Sequence, residues 1–325
     1  MVIFLLIAEL GFRLVRYIVV GGPLAEHSET RDDAQLGWTL NPYRKTIRKR
    51  NACDEPVVRD PPRSPYIGKE PRYREATRML FLGDSFTHAH EVSSGAAYYD
   101  VLEQSLPQRF AVYAAGVGGY GTAQEYLLLQ KIFNEIEPAI VVWQLTNNDP
   151  FENVYVGKDL STVQRPRPYY DLGTGQFFLA DPGVWLFEHS GFAKYVLGKL
   201  ILLERSHPIG VVSRIHSLFG HRRDAAQVEA EGLQVMQRIV TRAVQQYRAT
   251  RFIGFSADPD YDVQYEKIFR AAGADYFPGI AGQLQASGSR FNCLPLDGHW
   301  NHLGNRLAGQ ILSARLSAYA VERPN

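Results

Sequence analysis

The sequence predicts an α/β protein, a three-layer α/β/α sandwich built on a parallel sheet. Two observations carry that prediction. Short apolar runs that end in glycine or polar residues alternate with longer stretches of helical spacing, the order expected of a parallel sheet covered on both faces. The polar and glycine-rich clusters also fall just after the apolar runs, at the strand ends where such sheets bind ligands.

The first run is RMLFLGD (Arg78 to Asp84), suited to a buried strand, and FAVYAAG (Phe110 to Gly116) is the second. Between them GAAYYDVLEQSL has helical spacing. TAQEYLLLQKIFNEI (Thr122 to Ile136) reads as a Thr-capped helix with an apolar stripe, and AIVVWQLTNND (Ala139 to Asp149) as a third strand. After a break come a helix near Ala225 to Arg248, the strand RFIGFSA (Arg251 to Ala257) and the helix YDVQYEKIFRAAG. A short strand ADYFPGI and a terminal helix HLGNRLAGQILSARLSAYA close the chain.

The expected organisation has three parts. Residues 1–22 hold the apolar runs Ile3 to Leu10 and Leu14 to Val20, interrupted by Glu9, Arg13 and Arg16. They fit an amphipathic helix on a membrane, the remnant of an anchor, or a helix packed on the domain. Residues 23–76 are rich in Pro, Asp and Arg and read as an irregular lead-in wrapped over the main domain, with YRKTIRKR (Tyr43 to Arg50) as a solvated loop. Residues 77–325 form the main domain. Its segment at about 150–222 is too long for a simple connection and reads as an insertion shaping the site.

Composition narrows the function classes. The 325 residues are 45% hydrophobic and 21% charged, which is ordinary globular material. Lys and Arg number 35 against 34 Asp and Glu, a net charge of +1 that offers no global field for nucleic acid. Cys53 and Cys293 are too few for a disulfide framework or a zinc site, and sequence leaves open whether they pair.

Four motifs lie at the expected strand ends or in the last loop: GDSFT, AGVGGYGT, TNNDPFEN and LDGHWNHLGN. In that order they resemble the SGNH/GDSL hydrolase superfamily, over roughly Thr77 to Leu316. The resemblance implies a flavodoxin-like sheet and a serine ester hydrolase, with Ser85 as nucleophile, His299 as base and Asp297 orienting it. The Ser85 and Gly119 N–H groups and the Asn148 side chain would form the oxyanion hole, with Asp84 and Asp149 in support. No metal or organic cofactor is implied.

Departures from the family pattern are Ala114 for an Asn ahead of the glycine loop, and Thr146 for a Gly, which is expected to narrow the pocket. His302 reads as a surface or capping residue. His88 and His90 follow Ser85 closely but lack a carboxylate set in sequence, so they read as pocket lining or surface.

The expected substrate is a small-molecule or glycan ester carrying a short acyl group, acetyl foremost. Two alternatives stand beside it. An acyltransferase would move acetyl to or from a cell-surface glycan, with Tyr155, Tyr169, Tyr170, Phe177, Phe178 and Trp185 offering faces for sugar rings. A binding module would be a degenerate hydrolase, or would use Gly116, Gly118 and Gly121 as a dinucleotide loop. An extracytoplasmic or membrane-associated location is expected, with the cytoplasm not excluded.

Overall fold

The computed structural model describes residues 9–15, 28–62, 66–68, 76–106, 110–157, 165–180 and 223–322, with a few isolated positions between 190 and 200. In chain order the lead-in holds β1 (Thr30–Asp33), β2 (Gly37–Leu40), β3 (Ile47–Arg50), β4 (Pro56–Arg59) and β5 (Ile67–Gly68). The main domain begins with β6 (Thr77–Gly83), α1 (Ser85–His88), α2 (Tyr98–Ser105), β7 (Phe110–Gly116), α3 (Thr122–Ile136) and β8 (Ile140–Leu145). It continues through α4 (Asp149–Glu152), β9 (Arg167–Tyr170), β10 (Phe177–Ala180), α5 (Ala225–Gln246), β11 (Arg251–Ser256) and α6 (Asp262–Ala271). Last come β12 (Asp275–Tyr276), α7 (Ile280–Ala286), β13 (Asn292–Cys293), β14 (Asp297–Trp300) and α8 (His302–Glu322).

The central sheet has the order β12-β11-β8-β6-β7-β5. Its first five members are parallel, and β5 adds antiparallel to β7 at one edge. Period-two alternation sends successive side chains to opposite faces. In β6, Leu80 and Leu82 pack with α3, α5 and α6, while Met79 and Phe81 pack with α2, α7 and α8. Both faces of the sheet are therefore covered, and the sandwich has three layers.

The chain leaves β6 for β7 on one side and then returns to place β8 on the other. Such a reversal opens a crevice at the carboxyl end of the central strand, because the flanking connections depart to opposite faces. Ser85 follows directly on that strand end.

The lead-in differs from the irregular segment expected. It forms two antiparallel hairpins, β1 with β2 and β3 with β4, and the basic run contributes β3. Leu36, Trp38 and Leu40 are buried in the main core beside α3. These strands are only four residues long, too short for a periodic pattern to stand out in sequence, and their partner surface comes from elsewhere in the chain.

Residues 9–15 are helical, while the rest of 1–22 lies outside the described residues. Among the described residues no helix is long and apolar enough to cross a membrane. Trp185 and most of the expected insertion also lie outside them.

Gly116 ends β7 against the back of α1. A Cβ there would sit 2.3 Å from the His88 nitrogen and the Thr87 carbonyl carbon. Backbone cannot yield as a flexible side chain would, so Gly116→Ala is expected to lower stability by about 1–3 kcal/mol, read as a reduced urea midpoint.

Candidate active site

Ser85 opens the short helix α1, whose position is set by capping and by buried polar contacts. Asp84 caps it, accepting from the Phe86 N–H at 3.1 Å. Deeper in, the Thr87 N–H and hydroxyl donate to Gln144 Oε1 on β8 at 3.1 and 2.8 Å, and Thr87 Oγ1 also meets the Tyr98 hydroxyl. The helix is thus bonded to the neighbouring strand rather than resting on apolar contact alone.

His299 Nε2 lies 2.8 Å from Ser85 Oγ, and His299 Nδ1 lies 2.6 Å from Asp297 Oδ1. The same carboxylate oxygen accepts the His299 backbone N–H at 2.9 Å. Asp297 therefore fixes both the ring and its backbone, leaving Nε2 facing the serine oxygen. The Phe86 and His90 rings flank the His299 imidazole, with centroids at 5.0 and 5.4 Å.

The glycine loop lies against the serine: a Cβ on Gly118 would come within 3.9 Å of Ser85 Cβ. Gly119 has φ +79°, a left-handed conformation that glycine adopts without strain. Trp38 Nε1 donates to the Gly118 carbonyl at 3.2 Å, and Arg167 Nη2 to the Gly119 carbonyl at 3.0 Å. Arg167 is itself buried, paired with Glu152, and its guanidinium lies over the Trp38 ring. Both carbonyls are thereby held, and the Ser85 and Gly119 N–H groups have no hydrogen-bond partner among the described residues.

Asn148 stands just ahead of α4, at the carboxyl end of β8. Thr146 Oγ1 lies 2.5 Å from Asn148 Oδ1 and 3.0 Å from Asp84 Oδ2, joining the serine loop to the asparagine loop. With its oxygen engaged, Asn148 keeps its Nδ2 amide unpartnered among the described residues. The expectation that Thr146 narrows the pocket is corrected: at 1% exposure it is buried under the site as a bridge.

Asp149 accepts the Thr146 N–H at 2.6 Å and braces the turn from inside. Burial, and then the nearby Asp84, push its carboxyl well above the usual range. Glu125, bonded to the Trp143 indole at 2.7 Å, is raised by burial and by Asp149.

His88 lines a cavity, as expected, but the structure adds what the sequence did not show: both histidines have carboxylate partners. His88 Nε2 lies 3.2 Å from Glu29, and His90 Nε2 lies 2.5 Å from Glu91. Glu91, His90 and Asp297 bring their polar atoms within 4.8 Å of one another. A cation would fit that spacing, but imidazole nitrogens already engage Glu91 and Asp297. His302 lies at the start of α8, its Nδ1 2.9 Å from Glu55.

A dinucleotide loop would need the first N–H groups of α3 free for a pyrophosphate. The Ala123 N–H instead donates to Asn153 Oδ1 at 2.9 Å.

A disulfide joins Cys53, in the β3–β4 turn, to Cys293 on β13, across 240 residues of sequence. β13 pairs with β14, which carries Asp297 and His299. The bond therefore ties the histidine hairpin to the lead-in. Glu91, Arg167, Trp38 and this pairing were not legible beforehand, because each joins segments far apart in sequence.

These strand ends and loops belong to a three-layer α/β/α sandwich built on a parallel sheet. No family model matches the sequence, and no curated protein does. Solved structures with a similar fold include the esterase EstA from Pseudoalteromonas sp., 10% identical with a TM-score of 0.44, covering 75% of this chain and 98% of that one. A lipase/acylhydrolase from Enterococcus faecalis is 11% identical with a TM-score of 0.41, covering 74% and 96%. The acetyl xylan esterase AlAXEase is 13% identical with a TM-score of 0.39, covering 74% and 99%.

Asp149 has its folded-state value raised, so the folded chain keeps a proton that the unfolded chain releases once pH passes about 4. Stability then falls with rising pH until the folded group ionises. Asp149→Asn mimics the protonated acid and is expected to lessen that fall in urea titrations carried upward from about pH 4. Cys293→Ser is expected to cost about 2–4 kcal/mol, and a reductant should lower the stability of the parent chain but not of the variant.

Proposed function

We propose that the chain is a serine ester hydrolase that removes short acyl groups, acetyl foremost, from a carbohydrate. The observation that carries the reading is the continuous chain from Ser85 Oγ through His299 to Asp297, at 2.8 and 2.6 Å. His299 takes the serine proton as Oγ attacks the acyl carbonyl, and returns it to the leaving alcohol. The developing oxyanion meets the Ser85 and Gly119 N–H groups and the Asn148 amide. Water, deprotonated by the same imidazole, then releases the acid from the acyl-enzyme.

Crowding of the Phe86 and His90 rings around His299 supports a short acyl group. Support for a sugar comes from a groove of about 620 Å³ whose lining includes Tyr155, Tyr169, Tyr170, Phe178, Gln227 and Gln234. Aromatic faces with amides beside them suit the apolar faces and hydroxyls of sugar rings.

Intact-mass analysis after a fluorophosphonate, with p-nitrophenyl esters of increasing chain length, tests the reading. One adduct lost in Ser85→Ala, with acetate or butyrate preferred over longer esters, is the expected result. No adduct and no Ser85-dependent turnover would overturn it. Asp297→Asn is expected to lower kcat about ten-thousand-fold by freeing the wrong tautomer, and Asn148→Ala about a hundred- to a thousand-fold. With an acetylated glycan, released acetate should exceed any acetyl found on an added acceptor; the reverse would make the chain a transferase.

A further inference from the structure

We propose that Thr146 is a positioning residue for the oxyanion hole: its hydroxyl proton decides which end of the Asn148 amide faces the acyl oxygen. This deepens the serine-hydrolase reading and rests on it. A primary amide carries an acceptor oxygen at one end and a donor NH₂ at the other, on groups of nearly equal size. Packing therefore does not choose between its two orientations. Only the Nδ2 end stabilises a developing oxyanion, while the Oδ1 end repels it.

Thr146 is held where it can make that choice. It follows β8 directly and is 1% exposed. Its N–H donates to Asp149 Oδ2 at 2.6 Å, and its carbonyl accepts the Tyr265 hydroxyl of α6 at 2.5 Å. With the backbone fixed from both sides, Oγ1 lies 2.5 Å from Asn148 Oδ1, 3.0 Å from Asp84 Oδ2 and 3.5 Å from Asp149 Oδ2.

A hydroxyl has one proton to give. An amide oxygen only accepts, so Asn148 Oδ1 sits at 2.5 Å with that proton between the two oxygens. Nδ2 is then turned away from the threonine, with no partner among the described residues, and stays available to the substrate. With the proton spent wholly on Asp84, Asn148 would instead turn its NH₂ toward Oγ1 and offer Oδ1 to the substrate.

The pattern that TNND resembles has Gly where Thr146 stands. Glycine has no hydroxyl, so the device belongs to this chain rather than to the motif. Removing the hydroxyl does more than loosen the amide. The Asp84 carboxylate, which shares that hydroxyl, attracts NH₂ and repels Oδ1, so the loss favours the unproductive orientation. Asp84 itself keeps its bond from the Phe86 N–H to Oδ1 and still caps α1. The effect of the hydroxyl on catalysis therefore runs through Asn148.

The test compares Thr146→Val, which keeps the shape and removes the hydroxyl, with Thr146→Ser, Asn148→Ala and the Thr146→Val, Asn148→Ala double variant. All are made in the full chain, with folding checked by thermal melting, and the readout is Ser85-dependent kcat and KM for p-nitrophenyl acetate. Thr146→Val is expected to lower kcat about tenfold to a hundredfold with KM nearly unchanged, short of the Asn148→Ala loss because the amide is still present. Thr146→Ser should restore most of kcat. In the Asn148→Ala background, Thr146→Val should change kcat by less than about twofold, since the two residues act as one unit. An unmoved kcat in Thr146→Val, or an equal loss in Thr146→Ser, would overturn the proposal. So would the same factor lost with and without Asn148, which would place the role of the hydroxyl on Asp84 and α1. Thr146→Ala serves if Thr146→Val fails to fold. No Ser85-dependent rate in the parent chain would overturn the hydrolase reading and this role with it, whereas a parent rate that Thr146→Val leaves unmoved overturns this role alone.

Discussion

Everything at the site depends on the reversal of sheet growth at β6. Because β7 and β8 flank that strand on opposite sides, the connections after all three strands converge above its carboxyl end, and the chain places GDSFT, the glycine loop and TNND on them. The hydrogen bonds of Thr87 to Gln144, and of Thr146 to Asp84 and Asn148, convert that convergence into a rigid arrangement. Buried polar bonds are directional, so they fix the loops more tightly than apolar packing would.

The histidine arrives by a different route. Asp297 and His299 sit on a two-stranded hairpin outside the main sheet, an element too small to be stable by itself. Its position is imposed from three directions. The Cys53–Cys293 bond ties it to the lead-in, Glu55 holds His302 just beyond it, and Trp300 is buried against Phe86 and Tyr98. The lead-in is therefore part of the site's support. It also supplies Trp38, which with Arg167 holds the carbonyls of the glycine loop and leaves the opposite edge of that loop facing the serine.

Much of the fold was legible because buried parallel strands are short apolar runs and their helices carry apolar stripes, as RMLFLGD and TAQEYLLLQKIFNEI do. The candidate residues Ser85, Asn148, Asp297 and His299 stood out for a related reason: each lies in a compact local motif. Asp297 and His299, two apart in extended chain, can meet with no help from the rest of the molecule. The β1–β2 and β3–β4 hairpins did not stand out, since four residues of strand show no period and their burial comes from distant surfaces.

The sequence alone determined the order of β6, β7, β8, β11 and β12 with the main helices between them, the candidate residues Ser85, Asn148, Asp297 and His299, and the local pairing of Asp297 with His299. Tertiary structure alone decided which distant segments meet: Ser85 with His299 across 214 residues, Cys53 with Cys293, Arg167 with Gly119, and Glu91 with Asp297. The physical reason is range. Periodicity, capping and turn chemistry act over a few residues and leave a trace in composition, whereas a contact across the fold depends on the packing of every layer between its ends and leaves none.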